Sequence, residues 1–204
     1  MALGGSITAG VGSSDFNGYR KHLLEMIRSS GCDICMVGSR RSGSTEAGEH
    51  EGWRGFRLDE IEKKARKSVP RLKPNLFTIN AGSNDCIQKL NIDDFGKRMS
   101  AMLNYLWLAS PGSTILLSTL VCNADQEINS QVLRVNDQIR TLVRQKATHG
   151  RIILADMYTE RGPTFIDLVD GTHPGDAGYR KMADVWFSGF QEAAIMGFIG
   201  NTAE

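Results

Sequence analysis

What most constrains this chain is an alternation of short apolar strands with amphipathic helices that runs from one end to the other. Strands are expected at Met1–Gly4, Asp33–Gly38, Leu76–Asn80, Ile115–Thr119 and Arg151–Ala155. Between them, 3.6-residue periodicity predicts helices over about Tyr19–Ser30, Leu58–Val69, Asn91 or Asp93 to Ala109, Glu127–Thr148 and Asp176–Ala194. Leu23, Leu24, Met26 and Ile27 make the apolar side of the first helix, and Gly31 is placed to cap it. Pro70 is expected to close the second helix, and Pro111-Gly112 marks a turn. Five strands alternating with helices imply one parallel sheet covered on both faces. With right-handed crossovers this gives a three-layer α/β/α sandwich. No internal repeat or linker interrupts the pattern, so a single domain is expected over residues 1–204.

In open sheets of this kind ligands bind outside the carboxyl ends of the strands. Chemistry is therefore sought in the segments that follow strands. The first strand runs into Gly4-Gly5-Ser6-Ile7-Thr8. Its serine, set among small residues, has an accessible hydroxyl. The segment reads equally as a plain turn or a phosphate-cradling loop, although the Gly-Lys-Ser/Thr of a Walker loop is absent. Ahead of the last helix stands Asp170-Gly171-Thr172-His173-Pro174. An Asp three residues before a His, with Gly between, lets the carboxylate fold back onto the imidazole and orient it as a base for a serine. A helix-entry loop with backbone hydrogen bonds is the alternative. The third strand leads into Gly82-Ser83-Asn84-Asp85, where Asn84 could donate to a developing oxyanion. The same four residues are also strong turn formers, and Asp85 could cap or brace the loop.

Arg40–Phe56 is a polar, glycine-rich loop, long enough to suggest a function. His50-Glu51 begins like a zinc-protease motif, but the second His four residues on is missing, so metal binding is rejected. His50 and Trp53 are kept as substrate-contact candidates, while Trp53 and Phe56 also fit as anchors of the loop. Gly55 could offer an unobstructed backbone N–H. The other histidines have weaker settings: His22 lies on a helix and His149 ends one. Thus Ser6, the Gly55 loop, Asn84 and Asp170–His173 all follow strands and converge on one edge of the expected sheet.

Composition removes several classes. The net charge of +1 gives no reason to expect nucleic acid or an anionic membrane surface as partner. No apolar run approaches the ~20 residues that span a bilayer. The N-terminus has no basic segment followed by an apolar one, so the chain as it stands is expected to be cytoplasmic, with secretion after loss of a leader as the alternative. The absence of any Asn-x-Ser/Thr sequon points the same way. Cys32 and Cys35 form a CxxC, read here as buried thiols in the second strand rather than a redox or metal pair.

These blocks resemble the SGNH, or GDSL-type, hydrolase superfamily, named for Ser, Gly, Asn and His, over nearly the whole chain. The resemblance implies a flavodoxin-like fold. Within the superfamily the chain is most similar to carbohydrate esterase family 3, the acetyl xylan esterase group, through Gly18-Tyr19-Arg20, Val37-Gly38-Ser39 and His50-Glu51-Gly52-Trp53-Arg54-Gly55-Phe56-Arg57-Leu58-Asp59-Glu60-Ile61. The resemblance implies Ser6 as nucleophile, His173 as general base and Asp170 as its orienter. The oxyanion donors would be the N–H groups of Ser6 and Gly55 and the side chain of Asn84. Gly55 is preferred over Gly52 and Gly38 because it matches the second glycine of the family's His-Glu-Gly-x-x-Gly. It further implies a serine esterase for short acetyl esters, such as those of acetylated xylan, working without a cofactor. Rival readings are a thioesterase, a lysophospholipase, a secondary-metabolite ester hydrolase, a catalytically weakened ligand-binding domain, or a flavin binder on a similar sheet. One departure stands out: Gly5 occupies the place of the family's Asp, and the first strand is shorter than usual.

Overall fold

The computed structural model describes residues 1–43 and 45–199; Ser44 and the last five residues of the expected domain lie outside the described residues. Six strands form one sheet: β1 (Ala2–Gly4), β2 (Arg40–Arg41), β3 (Glu49–Gly52), β4 (Leu76–Asn80), β5 (Thr114–Ser118) and β6 (Ile152–Ala155). Their order is β2-β3-β1-β4-β5-β6. All neighbours are parallel except the short β2–β3 pair. The helices are α1 (Arg20–Ser29), α2 (Leu58–Leu72), α3 (Ser83–Ile87), α4 (Phe95–Ala109), α5 (Gln126–Lys146) and α6 (Asp176–Ile195).

Alternation along the strands sends neighbouring side chains to opposite faces. Leu3, Phe77, Ile79, Ile115 and Leu117 join the core beneath α2, α4 and α5. Ala2, Leu76, Leu116 and Ile153 join the one beneath α1 and α6, with Leu23, Ile27, Tyr19 and Trp186. Strands covered on both sides are buried at every position, as Leu76–Asn80 and Thr114–Ser118 are, and their polar members find partners, Asn80 Nδ2 donating to Ser118 Oγ at 2.7 Å. The α/β/α sandwich is therefore as expected, with six strands in place of five.

Two expectations are corrected. Asp33–Gly38 is not a strand: it has no regular structure and no ladder pairing, and the place next to β1 is taken by β3, in register Leu3↔Glu51 and Gly4↔Gly52. A polar stretch can occupy this site because its side chains find partners. The buried Glu51 carboxylate accepts hydrogen bonds from Ser39 N–H (3.0 Å), Ser39 Oγ (2.8 Å) and Trp53 Nε1 (3.0 Å). With no strand at 33–38, the CxxC is not buried either; Cys35 is exposed and Cys32 half-buried, whereas Cys86 and Cys122 are buried. The second correction concerns Pro70, which lies inside α2 rather than ending it. Proline removes the N–H that would bond the Arg66 carbonyl. Tyr105 Oη donates to that carbonyl instead, at 3.3 Å, and α2 ends at Lys73 in the left-handed conformation (φ 41°).

Candidate active site

The carboxyl ends of β1, β3 and β4 carry the segments that assemble the site, and the β6–α6 connection reaches across to join them. At β1 the backbone is packed too closely for a side chain: a Cβ on Gly4 would lie 2.0 Å from the Asn80 carbonyl oxygen and 2.3 Å from Thr8 Oγ1. The chain turns there and presents Ser6. His173, 167 residues away in sequence, brings Nε2 to 2.8 Å from Ser6 Oγ. His173 Nδ1 lies 2.7 Å from Asp170 Oδ2. The other carboxylate oxygen of Asp170 accepts the N–H of Thr172 (3.0 Å) and of His173 (2.8 Å). Partial burial works against charge on Asp170, but these hydrogen bonds outweigh it and hold its pKa below the usual carboxylate value.

The Asp170–His173 segment has no regular structure of its own and is held at both sides. Val169 N–H donates to the His173 carbonyl (2.9 Å) and Gly175 N–H to that of Asp167 (2.8 Å), closing a narrow loop. Across from it, the segment after β5 contributes Ala124 N–H to the Gly171 carbonyl (2.8 Å) and Asn123 Nδ2 to Thr172 Oγ1 (3.0 Å). Helix α6 braces the segment that follows Ser6. Tyr179 Oη bonds the carbonyls of Ile7 (3.2 Å) and Val11 (2.5 Å), and Asp176 accepts from Ser14 N–H (2.9 Å).

On the opposite side of Ser6 stands a turn of residues 53–56, closed by Phe56 N–H to the Trp53 carbonyl (3.3 Å). Gly55 takes its third position with φ +77°, a conformation glycine adopts without strain. Among the described residues, the N–H groups of Ser6 and Gly55 donate to no protein acceptor. That of Gly52 is committed to His50 Nδ1 at 2.8 Å, which favours Gly55 as the free donor. Asn84, in the first turn of α3, uses one Nδ2 hydrogen on the Phe56 carbonyl (3.1 Å) and keeps a second. Behind it, buried Asp85 accepts from Leu58 N–H at the start of α2 (2.9 Å) and pairs with Arg98 (2.8 Å), which also reaches Asp59 (3.0 Å). Burial pushes the Asp85 carboxyl up in pKa, with Arg98 and the Leu58 N–H opposing it. A cleft of about 10 Å³ between Gly5, Ser6, Ile7, Asn80 and Asn84 has room for about one water. A wider groove of about 750 Å³ between α4 and α5, past Lys97, Gln138 and His149, involves none of these groups.

Not every expected residue reaches the site. His50 does not contact substrate space: it is buried, with Nε2 2.8 Å from Ser42 Oγ and Nδ1 taken by Gly52. Burial, with Arg20 and Arg40 nearby, lowers its pKa to about 3, so it stays neutral as a strut of the loop. Trp53 is half-buried and stacks on Phe56 (5.4 Å between centroids), with Arg40 and Lys64 against its ring. It anchors the turn. The position of the family's Asp, Gly5, has room: a Cβ there would make ordinary contacts, 3.6 Å to Asn84 Nδ2 and 3.9 Å to the Trp53 carbonyl.

One organising residue was visible in the sequence only as part of Gly18-Tyr19-Arg20. Arg20 is wholly buried and donates to the carbonyls of Thr8 (2.5 Å), Phe16 (3.2 Å), Ser42 (2.9 Å) and Ala47 (3.1 Å). It ties the segment after Ser6 to the long loop with carbonyls rather than a carboxylate. Nothing in the sequence pattern marks that bonding. Asn123 left no signal either, because its partner Thr172 is 49 residues away.

A sandwich of this topology with a Ser–His–Asp line at the carboxyl edge has the architecture of a serine hydrolase. The chain belongs to the GDSL-like lipase/acylhydrolase family, whose model matches residues 2–181. A family 3 carbohydrate esterase of Clostridium thermocellum superposes with TM-score 0.83 at 22% identity, covering 96% of each chain. A carbohydrate esterase family 3 protein of Talaromyces cellulolyticus gives 0.83 at 23%, covering 98% of each. An acetyl esterase mutant with acetate ion gives 0.82 at 24%, covering 96% of this chain and 98% of its own. At such identities these likenesses show the shared fold. A multidomain esterase of Ruminococcus flavefaciens is 22% identical over 215 residues, covering 91% of this chain. The chain spans 27% of that relative's length.

Proposed function

We propose that the chain hydrolyses short-chain esters, acetyl esters foremost, with Ser6 as nucleophile, His173 as general base and Asp170 as its orienter. The observation that carries this reading is the unbroken line from Asp170 Oδ2 through the imidazole to Ser6 Oγ, at 2.7 and 2.8 Å. Ser6 Oγ attacks the ester carbonyl as its proton passes to His173 Nε2. The N–H groups of Ser6 and Gly55 and the second Nδ2 hydrogen of Asn84 receive the oxyanion. His173 then protonates the departing alcohol, and water, activated by the same base, releases the acid from Ser6. The narrow cleft beside Ser6 supports a small acyl group. Similarity to family 3 carbohydrate esterases makes acetylated carbohydrate, such as acetylated xylan, the substrate class of this reading.

A second reading, an acyl ester or thioester with a longer apolar chain, is favoured by Phe165, Ile166 and Val169. All three are exposed in the segment that leads into Asp170. Acetate release from acetylated xylan and hydrolysis of acetyl, octanoyl and thioester compounds, with wild type and Ser6→Ala side by side, separate the two. Acetyl ester turnover lost in Ser6→Ala is the expected result. Turnover that survives Ser6→Ala sinks the assignment of the nucleophile.

A further inference from the structure

The narrow loop that carries His173 also presents an apolar side chain beside it. Leu168 and Pro174 form an antiparallel bridge, and Val169 N–H donates to the His173 carbonyl at 2.9 Å, so Val169 and His173 stand directly opposite each other. Directly opposed residues of an antiparallel pair project their side chains from one face. His173 uses that face to reach Ser6 Oγ, at 2.8 Å. Val169 therefore faces the same way, toward the segment that follows Ser6. The close packing there agrees: a Cβ on Gly12 would lie 3.0 Å from His173 Cβ and 3.1 Å from Val169 Cγ2. Gly12, with φ +93°, lets that segment run directly beneath both side chains.

Despite these contacts Val169 is 61% exposed. Its isopropyl group forms part of the rim of the site on the His173 side, and exposed Phe165 and Ile166 precede it in the same segment. Asp170, next along the chain, is engaged with the His173 ring and with the N–H groups of Thr172 and His173. The two halves of an ester lie differently with respect to this rim. In the reaction proposed above, the oxyanion turns toward Gly55 and Asn84. The departing alkoxide must come within hydrogen-bonding reach of His173 Nε2 to take its proton. The alcohol half therefore extends along the His173 side, away from the 53–56 turn, and meets Val169. The acyl half has the cleft of about 10 Å³ between Ser6 and Asn84 instead.

We propose that Val169 is a specificity residue that touches the alcohol half, selecting acetate esters of alcohols with a hydrocarbon surface close to the ester oxygen. This rests on the esterase reading above, and puts the apolar part of the substrate on the alcohol rather than the acyl side. The test uses hexyl acetate, ethyl acetate and methyl heptanoate, an isomer of hexyl acetate with its chain on the acyl side. Wild type, Val169→Ala, Val169→Thr, Val169→Ile and Ser6→Ala are compared. Wild type is expected to favour hexyl acetate over both other esters in kcat/KM. The ratio of hexyl to ethyl acetate falls about three- to fivefold in Val169→Ala and in Val169→Thr, chiefly through KM, the effect of one buried methyl group. Val169→Ile retains it. A loosened loop would lower both acetates alike, because both need His173, and would leave the ratio where it was. A ratio unchanged in Val169→Ala and Val169→Thr, or a wild type that does not favour hexyl acetate, overturns the role of Val169 while the esterase reading stands. If wild type hydrolyses none of the three, or Ser6→Ala hydrolyses them equally well, the esterase reading itself fails and takes this one with it.

Discussion

The two sides of Ser6 are built in opposite ways. On the proposed oxyanion side, the 53–56 turn, Asn84 and the start of α2 are locked together through buried groups, with Asp85 bonded to both Leu58 N–H and Arg98. On the proposed acid–base side, Asp170 and His173 sit in an irregular loop whose carboxylate is half exposed, and that loop hangs on Asn123, Ala124 and its own backbone bonds. The oxyanion donors must be aimed before any charge develops, because reorganisation during the reaction would cancel their benefit. The imidazole, by contrast, takes a proton from one group and hands it to another in the proposed mechanism. It needs correct orientation together with solvent access for the water that completes the cycle. Rigidity is thus concentrated where charge is to be stabilised, and tethering suffices where protons move.

Mutations can break this contrast, beginning with the largest effect. His173→Ala is expected to lower kcat by ~10⁴-fold or more while leaving Tm nearly unchanged, since the loop is tethered by backbone and neighbouring side chains. A Tm loss of many degrees, read by circular dichroism, would show that the imidazole also supports the fold. On the other side, Asp85→Ala leaves Arg98 without its buried partner and should cost about 3–5 kcal/mol in urea unfolding. Asn84→Ala should lower kcat by ~10²–10³-fold with KM little changed, the effect of losing one oxyanion donor. An equal rise in KM would place Asn84 in substrate binding instead.

Acid probes the same braced side through His50. Its folded pKa of about 3 lies below the ordinary value of 6.5. The unfolded chain therefore binds a proton that the folded one refuses. The stability this contributes is complete above pH 6.5 and is lost as pH falls toward about 3. A slope of about 1.4 kcal/mol per pH unit is expected over that range from this group. His50→Gln should flatten it in urea titrations at several pH values, and an unchanged slope would assign the acid sensitivity elsewhere. The smallest effect is expected at the tether: Asn123→Ala removes two side-chain hydrogen bonds, the donation to Thr172 Oγ1 and the acceptance from Asp125 N–H, and should cost about 1 kcal/mol, seen as a five- to tenfold fall in kcat. Asn123→Asp keeps the acceptor for Asp125 N–H and can accept from the Thr172 hydroxyl, so it should cost less than Ala.

Much of this was legible from residue order. Helix periodicity located α1, α2, α4, α5 and α6 to within a few residues, and the buried strands β4 to β6 were evident as apolar runs. The edge of the sheet was not, because Asp33–Gly38 has the apolar, branched look of a strand, whereas the pairing segment is Glu49-His50-Glu51-Gly52. Hydrophobic pattern favours the first; only the hydrogen bonds that Glu51 and His50 make inside the fold allow the second. The same reasoning misplaced His50. A histidine in a polar loop looks available, and its burial follows from how that loop folds over Arg20.

The sequence by itself determined the layered α/β/α fold and the segments proposed to bear chemistry, because strand and helix periods and short turn motifs are local properties. It brought Ser6, Asn84, Gly55 and Asp170–His173 to the same edge through the rule that strands point their carboxyl ends there. Only the tertiary structure decided how each is held. Those decisions rest on contacts between residues far apart in the chain, such as Asn84 with Phe56, Asn123 with Thr172 and Arg20 with four carbonyls. Such pairs carry no periodicity, and their energies exist only once the backbone has brought them within hydrogen-bonding distance.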